Sequence, residues 1–331
     1  MGFETQDVER KVHTILKILS TSNEAMGARV IARRLEDYGI DLGERAVRYH
    51  LKLMDERGLT HLLGPRSGRV LTEQGSKEVS NALVKDKVGF AISRIASLAY
   101  RTNFNLQDHT GFVPVNISYF AKEQFSKAVQ IMEPVFRNGL CVSHLVAIAK
   151  EGEKLGELLV PEGKVGLATV CSIVVNGTLL KAGVPIDSKF GGLLQIRNRQ
   201  ALRFVELIHY TGSSLDPSEV FIKAGMTSVI EAAKKGEGTI LANFREIPAL
   251  CRPIVEKVMT ELEEAGLKSL LIMGNTSESV CQISVELNRF GKVLIGGLNP
   301  VAAAEEAGIN AENHAMSTVL EYKDLIKFEE L

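Results

Sequence analysis

Arg45, Arg48, Tyr49 and Lys52 lie in the segment GERAVRYHLKLMDERGL and repeat at the i, i+3, i+4, i+7 spacing of one helix face. Three cations and an aromatic on one face suit contact with phosphates and base edges. Val47, Leu51 and Met54 form a separate apolar stripe, flanked by Ala46 and Leu53, which needs a partner to bury it. A different chemistry is suggested by TVCS (Thr169–Ser172) and GGLNP (Gly296–Pro300), each set between a strand-like run and a helical pattern. A helix N-terminus presents unpaired backbone N–H groups and the positive end of its dipole, so it favours an anion such as a small carboxylate. Glycines let a ligand approach the backbone, and Pro300 suits a first helical turn. Arg245, in ANFREIP, stands at the end of an expected strand, where its guanidinium could grip a carboxylate through two hydrogen bonds. The polar stretch HYTGSSLDPSEVF adds Thr211, Ser213, Ser214, Asp216 and Glu219. Plainer readings stand beside these: SSLDP as a helix N-cap, Arg245 paired with a local glutamate, GGLNP as a tight turn.

Cys171 invites an enzymatic alternative, because thiolates near helix N-termini are acidified, with His144 and His209 as candidate bases. Its neighbours match no protease or acyltransferase signature, and a buried structural cysteine is commoner. The sequence has no Walker loop, no HExxH and no GxGxxG with a following ribose-binding acid.

The elements that must position these residues fall into three regions. Over residues 1–80, Val8, Val12, Ile15, Leu16 and Leu19 mark a first helix with Asp7 as its N-cap. Ala28, Ile31, Ala32 and Leu35 mark a second, ending at Tyr38-Gly39, and the segment above is the third. LTHLL, the turn GPRSG and RVLTEQG then predict a hairpin. Helix, helix, helix, hairpin resembles a winged helix-turn-helix. That fold lays its third helix in the major groove, which puts Arg45 and Arg48 near base edges and Lys52, Arg66 and Arg69 on phosphates. Winged helices also serve as protein-docking modules.

Residues 81–110 continue as a linker helix carrying Val84, Val88, Ala91, Ile92, Ile95, Leu98 and Ala99, able to pack on the winged domain or to pair with its copy in a dimer. Residues 111–331 predict an α/β domain. Two of its segments, about 111–200 and 238–325, share an order of strand, helix, strand, then a glycine-led strand and a helix. Gly166 and Gly183 recur 125 residues later as Gly291 and Gly308, and Gly139 recurs 127 residues later as Gly266. The fold class is therefore α/β (α+β): an N-terminal winged helix followed by an α/β domain of two related halves, with a pseudo-twofold cleft between them.

Thirty-nine lysines and arginines nearly balance 40 acidic residues over 331 positions, so any DNA contact must be a local patch. No apolar run approaches the roughly 20 residues of a membrane span. The polar N-terminus lacks the build of a signal peptide, and it carries only part of a myristoylation signal, with Gln6 where Ser or Thr is needed. Four scattered cysteines with no CxxC pair argue against a zinc ribbon or a disulfide framework. A soluble, cytoplasmic protein without a metal or cofactor is expected.

The segments GLATVCS, NGTLLKAGVPIDSKFGGLLQI, RFVELIHYTGSSLDPSEVFIKAGMTSV, GEGTILANFREIPA and VLIGGLNPVAAAEEAGI resemble the effector domain of the NrpR family of nitrogen-regulation repressors, and the preceding winged helix fits its DNA-binding module. The resemblance implies a homodimeric repressor on a palindromic operator in double-stranded DNA, released when the dicarboxylate 2-oxoglutarate binds, and no enzyme. It implies Thr169, Cys171, Ser172, Ser213, Ser214, Arg245 and Asn299 as effector-site residues. Members of that family often carry two effector domains in tandem, and this chain carries one. The alternatives are a regulator sensing another small carboxylate, and an α/β enzyme centred on Cys171.

Overall fold

The chain was analysed as a computed structural model that describes residues 2–20, 25–36, 38, 40–64, 68–80 and 89–331. It divides into two units, residues 1–87 and 88–331. The first unit begins with α1 (Gly2–Ser20), α2 (Ala28–Glu36) and α3 (Glu44–Glu56). Their apolar stripes meet in one core, where Val12, Ile15, Leu16, Ile31, Leu35, Val47, Leu51 and Met54 are almost fully buried. Asp7 lies inside α1 and so does not cap it, while Gly39 falls outside the described residues.

A hairpin follows, β1 (Thr60–Gly64) antiparallel to β2 (Gly68–Leu71). Met26 bridges to Arg69 from the other side of β2. Gly68 has φ +90°, and a Cβ there would fall 2.4 Å from the Met26 carbonyl carbon, so this turn needs glycine. The second strand ends earlier than RVLTEQG suggests. Thr72 accepts the Gly75 N–H at 2.9 Å and starts α4 (Glu73–Ser80), so the expected wing exit is a helix N-cap.

The second unit contains α5 (Phe90–Arg101), whose Ala91, Ile95, Leu98 and Ala99 pack with Cys171, Ile173, Tyr210, Met316 and Val319. The helix expected as a linker over 81–110 is therefore part of this unit's core; residues 81–88 are outside the description.

After α5 the chain runs β3 (Phe112–Ala121), α6 (Phe125–Arg137), β4 (Leu145–Lys150), a small hairpin of β5 (Lys154–Leu155) and β6 (Leu158–Leu159), then β7 (Lys164–Val170), α7 (Ile173–Lys181), β8 (Asp187–Arg197) and β9 (Gln200–His209). Two short helices, α8 (Pro217–Lys223) and α9 (Val229–Lys235), precede β10 (Gly238–Pro248), α10 (Arg252–Glu264), β11 (Leu270–Thr276), β12 (Arg289–Ile295), α11 (Asn299–Glu306), β13 (Ala311–Glu321) and β14 (Ile326–Lys327).

One sheet has the order β13-β3-β7-β4-β14 and the other β11-β12-β10-β8-β9. Under the 125- to 127-residue offset read from the glycines, β3, β7, β4 and β13 match β10, β12, β11 and β8. The duplication is thus present as topology, with one addition. The last strand of each half crosses over: β8 pairs with β10 of the second half, and β13 pairs with β3 of the first. Helices cross as well, α11 packing on α6 and α10 on α7. β3 and β10 are buried along nearly their whole length; VPVNISYF is accordingly mostly apolar, whereas TILANFRE carries Asn243, Arg245 and Glu246 into the interior.

Candidate functional site

On α3, Arg45, Arg48, Tyr49 and Lys52 are all exposed, so the helix shows solvent the face expected of it. Arg48 pairs with Glu44 at 2.5 Å and Lys52 with Glu56 at 3.9 Å, both one turn away and in solvent. Such pairs are worth at most about 0.5 kcal/mol and yield readily to phosphate. Arg69 differs. Its Nε donates to Asp55 Oδ2 at 2.8 Å while Thr60 Oγ1 donates to Asp55 Oδ1 at 2.6 Å, which fastens the hairpin to the end of α3. Arg69, assigned to phosphate, is engaged in this half-buried ion pair; Arg66 lies outside the described residues. Arg29, Arg33 and Arg34 on α2 add exposed cations that the sequence reading missed, although they form the polar face of a strongly amphipathic segment.

In the second unit the two strand-to-helix junctions do converge. A cavity of about 20 Å³ is lined by Cys171, Ser172 and Ile173 at the start of α7 and by Gly297 and Leu298 at the start of α11. Asn116 of β3 and Asn243 of β10, repeat equivalents 127 residues apart, face each other across it, with Arg245 beside them. Ile95, Tyr210, Asp216, Ser218, Ala315 and Met316 close the remaining side.

Arg245 dominates this site. It is 1% exposed, and its hydrogen-bond partners are neutral oxygens: Nη1 donates to Asn176 Oδ1 and to Ser188 Oγ (2.7 Å), Nη2 to Asn243 Oδ1 (2.9 Å) and Ser172 Oγ (3.2 Å). Its Nε has no hydrogen-bond partner. Burial lowers its pKa, yet a guanidinium stays charged. Next to it across the strand pair lies Lys292, fully buried, its Nζ without a hydrogen bond and its pKa pushed down to about 7 by burial and by the Arg245 charge. Among the described residues neither forms an ion pair with a carboxylate, which removes the expectation that Arg245 might pair with a local glutamate. A buried guanidinium held only by neutral dipoles, beside two helix N-termini, is arranged to receive an anion.

The other assigned residues separate into those at the cavity and those away from it. Cys171 and Ser172 line it. Thr169 is buried two residues before Cys171, on β7, accepting from Asn116 Nδ2 at 3.4 Å. Asn299 is fully buried and turned away, bonded through its amide to both the N–H (2.8 Å) and the carbonyl (3.0 Å) of Leu241. Gly296 and Gly297 serve close packing: a Cβ at Gly296 would meet Leu241 of its own half at 2.7 Å, and one at Gly297 would meet Asn116 and Val170 of the other half at 2.5 Å. Pro300 occupies the first turn of α11, as its fixed φ favours. Ser213 donates to the Leu215 carbonyl within its own turn, and neither it nor Ser214 lines the cavity. SSLDP is the helix N-cap of the plainer reading, with Asp216 Oδ1 accepting from Ser218 N at 2.8 Å and Glu219 N at 3.4 Å. Burial raises the pKa of Asp216, against the lowering effect of the hydrogen bonds from Ser218 and Glu219.

Cys171 does not gain an acidic thiol from its helix. Burial pushes its pKa up to about 12, outweighing the hydrogen bond from the Ile173 N–H. Neither His144, which pairs with Glu329 at 2.7 Å, nor His209 lines the cavity, so no imidazole stands there to deprotonate it. A larger groove of about 780 Å³, beside Cys141, His144 and Tyr322, has these polar groups already paired: His144 with Glu329 and the Tyr322 hydroxyl with the Ala265 carbonyl.

The functional residues missed from sequence were Asn116, Asn243, Tyr210, Ser218, Lys292 and Met316. For the two asparagines a signal existed, since the offset that aligns Gly139 with Gly266 also aligns them.

Residues 88–327 match the family described as NrpR regulatory domains NRD1 and 2, and residues 13–79 match the ribonuclease R winged-helix domain. The chain is 42% identical over 318 residues to the global nitrogen regulator NrpRI of Methanosarcina mazei, which covers 96% of this chain and 98% of that protein. It is 33% identical to the global nitrogen regulators NrpR of Methanococcus maripaludis and Methanocaldococcus jannaschii, spanning 54% and 56% of their lengths. The crystal structure of a nitrogen repressor-like protein from Methanococcus jannaschii superposes with a TM-score of 0.61 at 28% identity, covering 72% of this chain and 98% of that one.

Proposed function

The chain belongs to the NrpR family of nitrogen regulators, and from that premise we propose that it is a repressor of nitrogen-assimilation genes whose DNA binding is relieved by 2-oxoglutarate. The observation that carries the effector assignment is Arg245: a buried cation with neutral partners only, beside an unpaired lysine and two helix N-termini. Such a site stabilises a carboxylate and disfavours a neutral ligand. A volume of about 20 Å³ holds about one water, so a five-carbon dicarboxylate enters only when a wall of the cavity gives way. That requirement is what a switch needs, because a ligand that favours one conformation shifts the population toward it.

On the DNA side, α3 carries Arg45 and Arg48 on the exposed face that a winged helix lays in the major groove. Two copies of the chain would read a palindrome with half-sites about 34–36 Å apart. The enzymatic alternative is weaker, since the Cys171 thiol is held protonated and lacks a base.

The test is a titration of the full-length protein on a promoter fragment at fixed salt, with and without 2-oxoglutarate. The metabolite should weaken binding several-fold, and Arg45→Ala should weaken it ~10-fold without changing the fold, in keeping with ~1–3 kcal/mol for a bidentate base contact. DNA binding that ignores 2-oxoglutarate but responds to another small dicarboxylate would reassign the effector. No specific DNA binding at all would overturn the repressor assignment.

A further inference from the structure

The wall that must give way is defined by its hydrogen bonds. Between His314 and Thr318 the register of β13 slips against β3: His314 faces Ile117 and Thr318 faces Val115, which leaves Ala315, Met316 and Ser317 opposite the single residue Asn116. Met316, at the centre of this bulge, lines the cavity with φ +51°, a left-handed conformation that a non-glycine residue adopts only under constraint. Its N–H donates to Asn116 Oδ1 at 3.0 Å. The bulge is gripped from two further sides. Arg94 of α5 donates from Nε to the Met316 carbonyl (2.5 Å) and from Nη2 to the Ser317 carbonyl (2.7 Å), while Glu219 of α8 accepts the Ala315 N–H at 2.5 Å.

The next residue on α5, Ile95, lines the same cavity. One helix therefore supplies both a wall of the site and the clamp on the strained strand opposite Asn116. That helix is also the first described element after the winged-helix unit in the chain. Resting on the effector assignment above, we propose that Arg94 is the positioning residue that couples effector seating to DNA release. A ligand large enough to enter displaces Met316 or Ile95; the guanidinium fork makes the bulge and α5 move together, so the displacement reaches the N-terminal end of α5, which follows the winged-helix unit in sequence. Arg94 contacts no ligand in this scheme. Its fork matters because two parallel N–H donors fix an orientation that a single ammonium cannot.

The experiment compares full-length wild type, Arg94→Ala and Arg94→Lys by two readouts: calorimetric binding of 2-oxoglutarate, and DNA affinity without and with saturating 2-oxoglutarate. Wild-type protein that neither binds the metabolite nor responds to it would sink the effector assignment, and this coupling with it. Where wild type binds and responds, Arg94→Ala should still bind 2-oxoglutarate, but its ratio of DNA affinities should shrink by about fivefold or more, the scale of a small allosteric coupling. Arg94→Lys should recover part of that ratio. An unchanged ratio in Arg94→Ala would overturn the coupling, as would a loss of ligand binding that matches the loss of response. Should Arg94→Ala fail to fold by thermal melting, Arg94→Lys decides alone: an intermediate ratio supports the clamp, and a wild-type ratio overturns it.

Discussion

In the first half of the regulatory unit, Ser118 on β3 faces Leu167 on β7. In the second half the equivalent strands, β10 and β12, bring Arg245 opposite Lys292. The backbone plan is the same on both sides, including the paired asparagines Asn116 and Asn243, while the two buried side-chain cations, Arg245 at the cavity and Lys292 behind it, come from one register position of the second half. A site with twofold chemistry would suit a ligand with two identical ends. On the effector assignment proposed above, a single guanidinium fits an anion whose two ends differ. The final strands differ too. β8 has one extra residue, Lys189, at its irregularity, whereas β13 carries the wider bulge with Met316 at positive φ.

Erasing this asymmetry should have the largest effect. Arg245→Gln leaves four neutral oxygens without the guanidinium they hold; 2-oxoglutarate affinity measured by calorimetry should fall ~100-fold or more, about 3 kcal/mol, as expected for loss of a buried charge-assisted pair. Lys292→Met makes the second half resemble the first at its other altered position. It should raise the stability of the apo protein by ~2 kcal/mol at pH 7 in denaturant unfolding, because a buried unpaired ammonium is replaced by a side chain of similar length. The sign with pH follows from the linkage. With a folded pKa of about 7 against ~10.4 unfolded, the unfolded chain binds the proton between those values and the folded chain does not. Wild-type stability should therefore gain a component that rises from pH 7 toward pH 10, and that component should be missing from Lys292→Met.

The asparagine pair offers a finer comparison. Asn243→Asp places a carboxylate within 2.9 Å of Arg245 Nη2 and should weaken anion binding ~10-fold by filling the site with its own charge. Asn116→Asp, which touches Met316 N but not Arg245, should weaken it ~3-fold at most. Equal losses from the two would mean that Arg245 is not where the anion sits. The smallest effect is expected for Cys171→Ala: with the thiol held protonated, affinity should change less than ~3-fold.

Local periodicity carries a good deal of this in the sequence. The stripes of Val12, Ile15 and Leu16 and of Val47, Leu51 and Met54 report a helix face directly, and the recurrence of Gly166 and Gly183 at Gly291 and Gly308 reports the duplication. What stays hidden depends on partners distant along the chain. A strand's apolar content shows that both its faces are buried but not which strand lies beside it, so the exchange of β8 and β13 leaves no local trace. Arg245 could be picked out by type, yet three of its four neutral partners, Ser172, Asn176 and Ser188, come from the start of α7 and from β8, more than 50 residues earlier in the chain. Asn299 and the Gly296-Gly297 pair carry the same chemical cues as a ligand site and turn out to hold β10 and β3 against α11, because close backbone packing and ligand approach ask for the same small or amide-bearing residues.

The exchanged strands also bear on how the chain is made. β3 ends at Ala121 and has an incomplete edge until β13 emerges, beginning at Ala311, so the first sheet cannot finish while the second half is still being synthesised. Pairings that span most of a domain close large loops before any compensating contact forms, and they slow folding accordingly. Nascent or truncated chains that lack β13 would carry an open, apolar β3 edge exposed to wrong partners. Loss of the last strand should therefore harm the first half of the regulatory unit as much as the second.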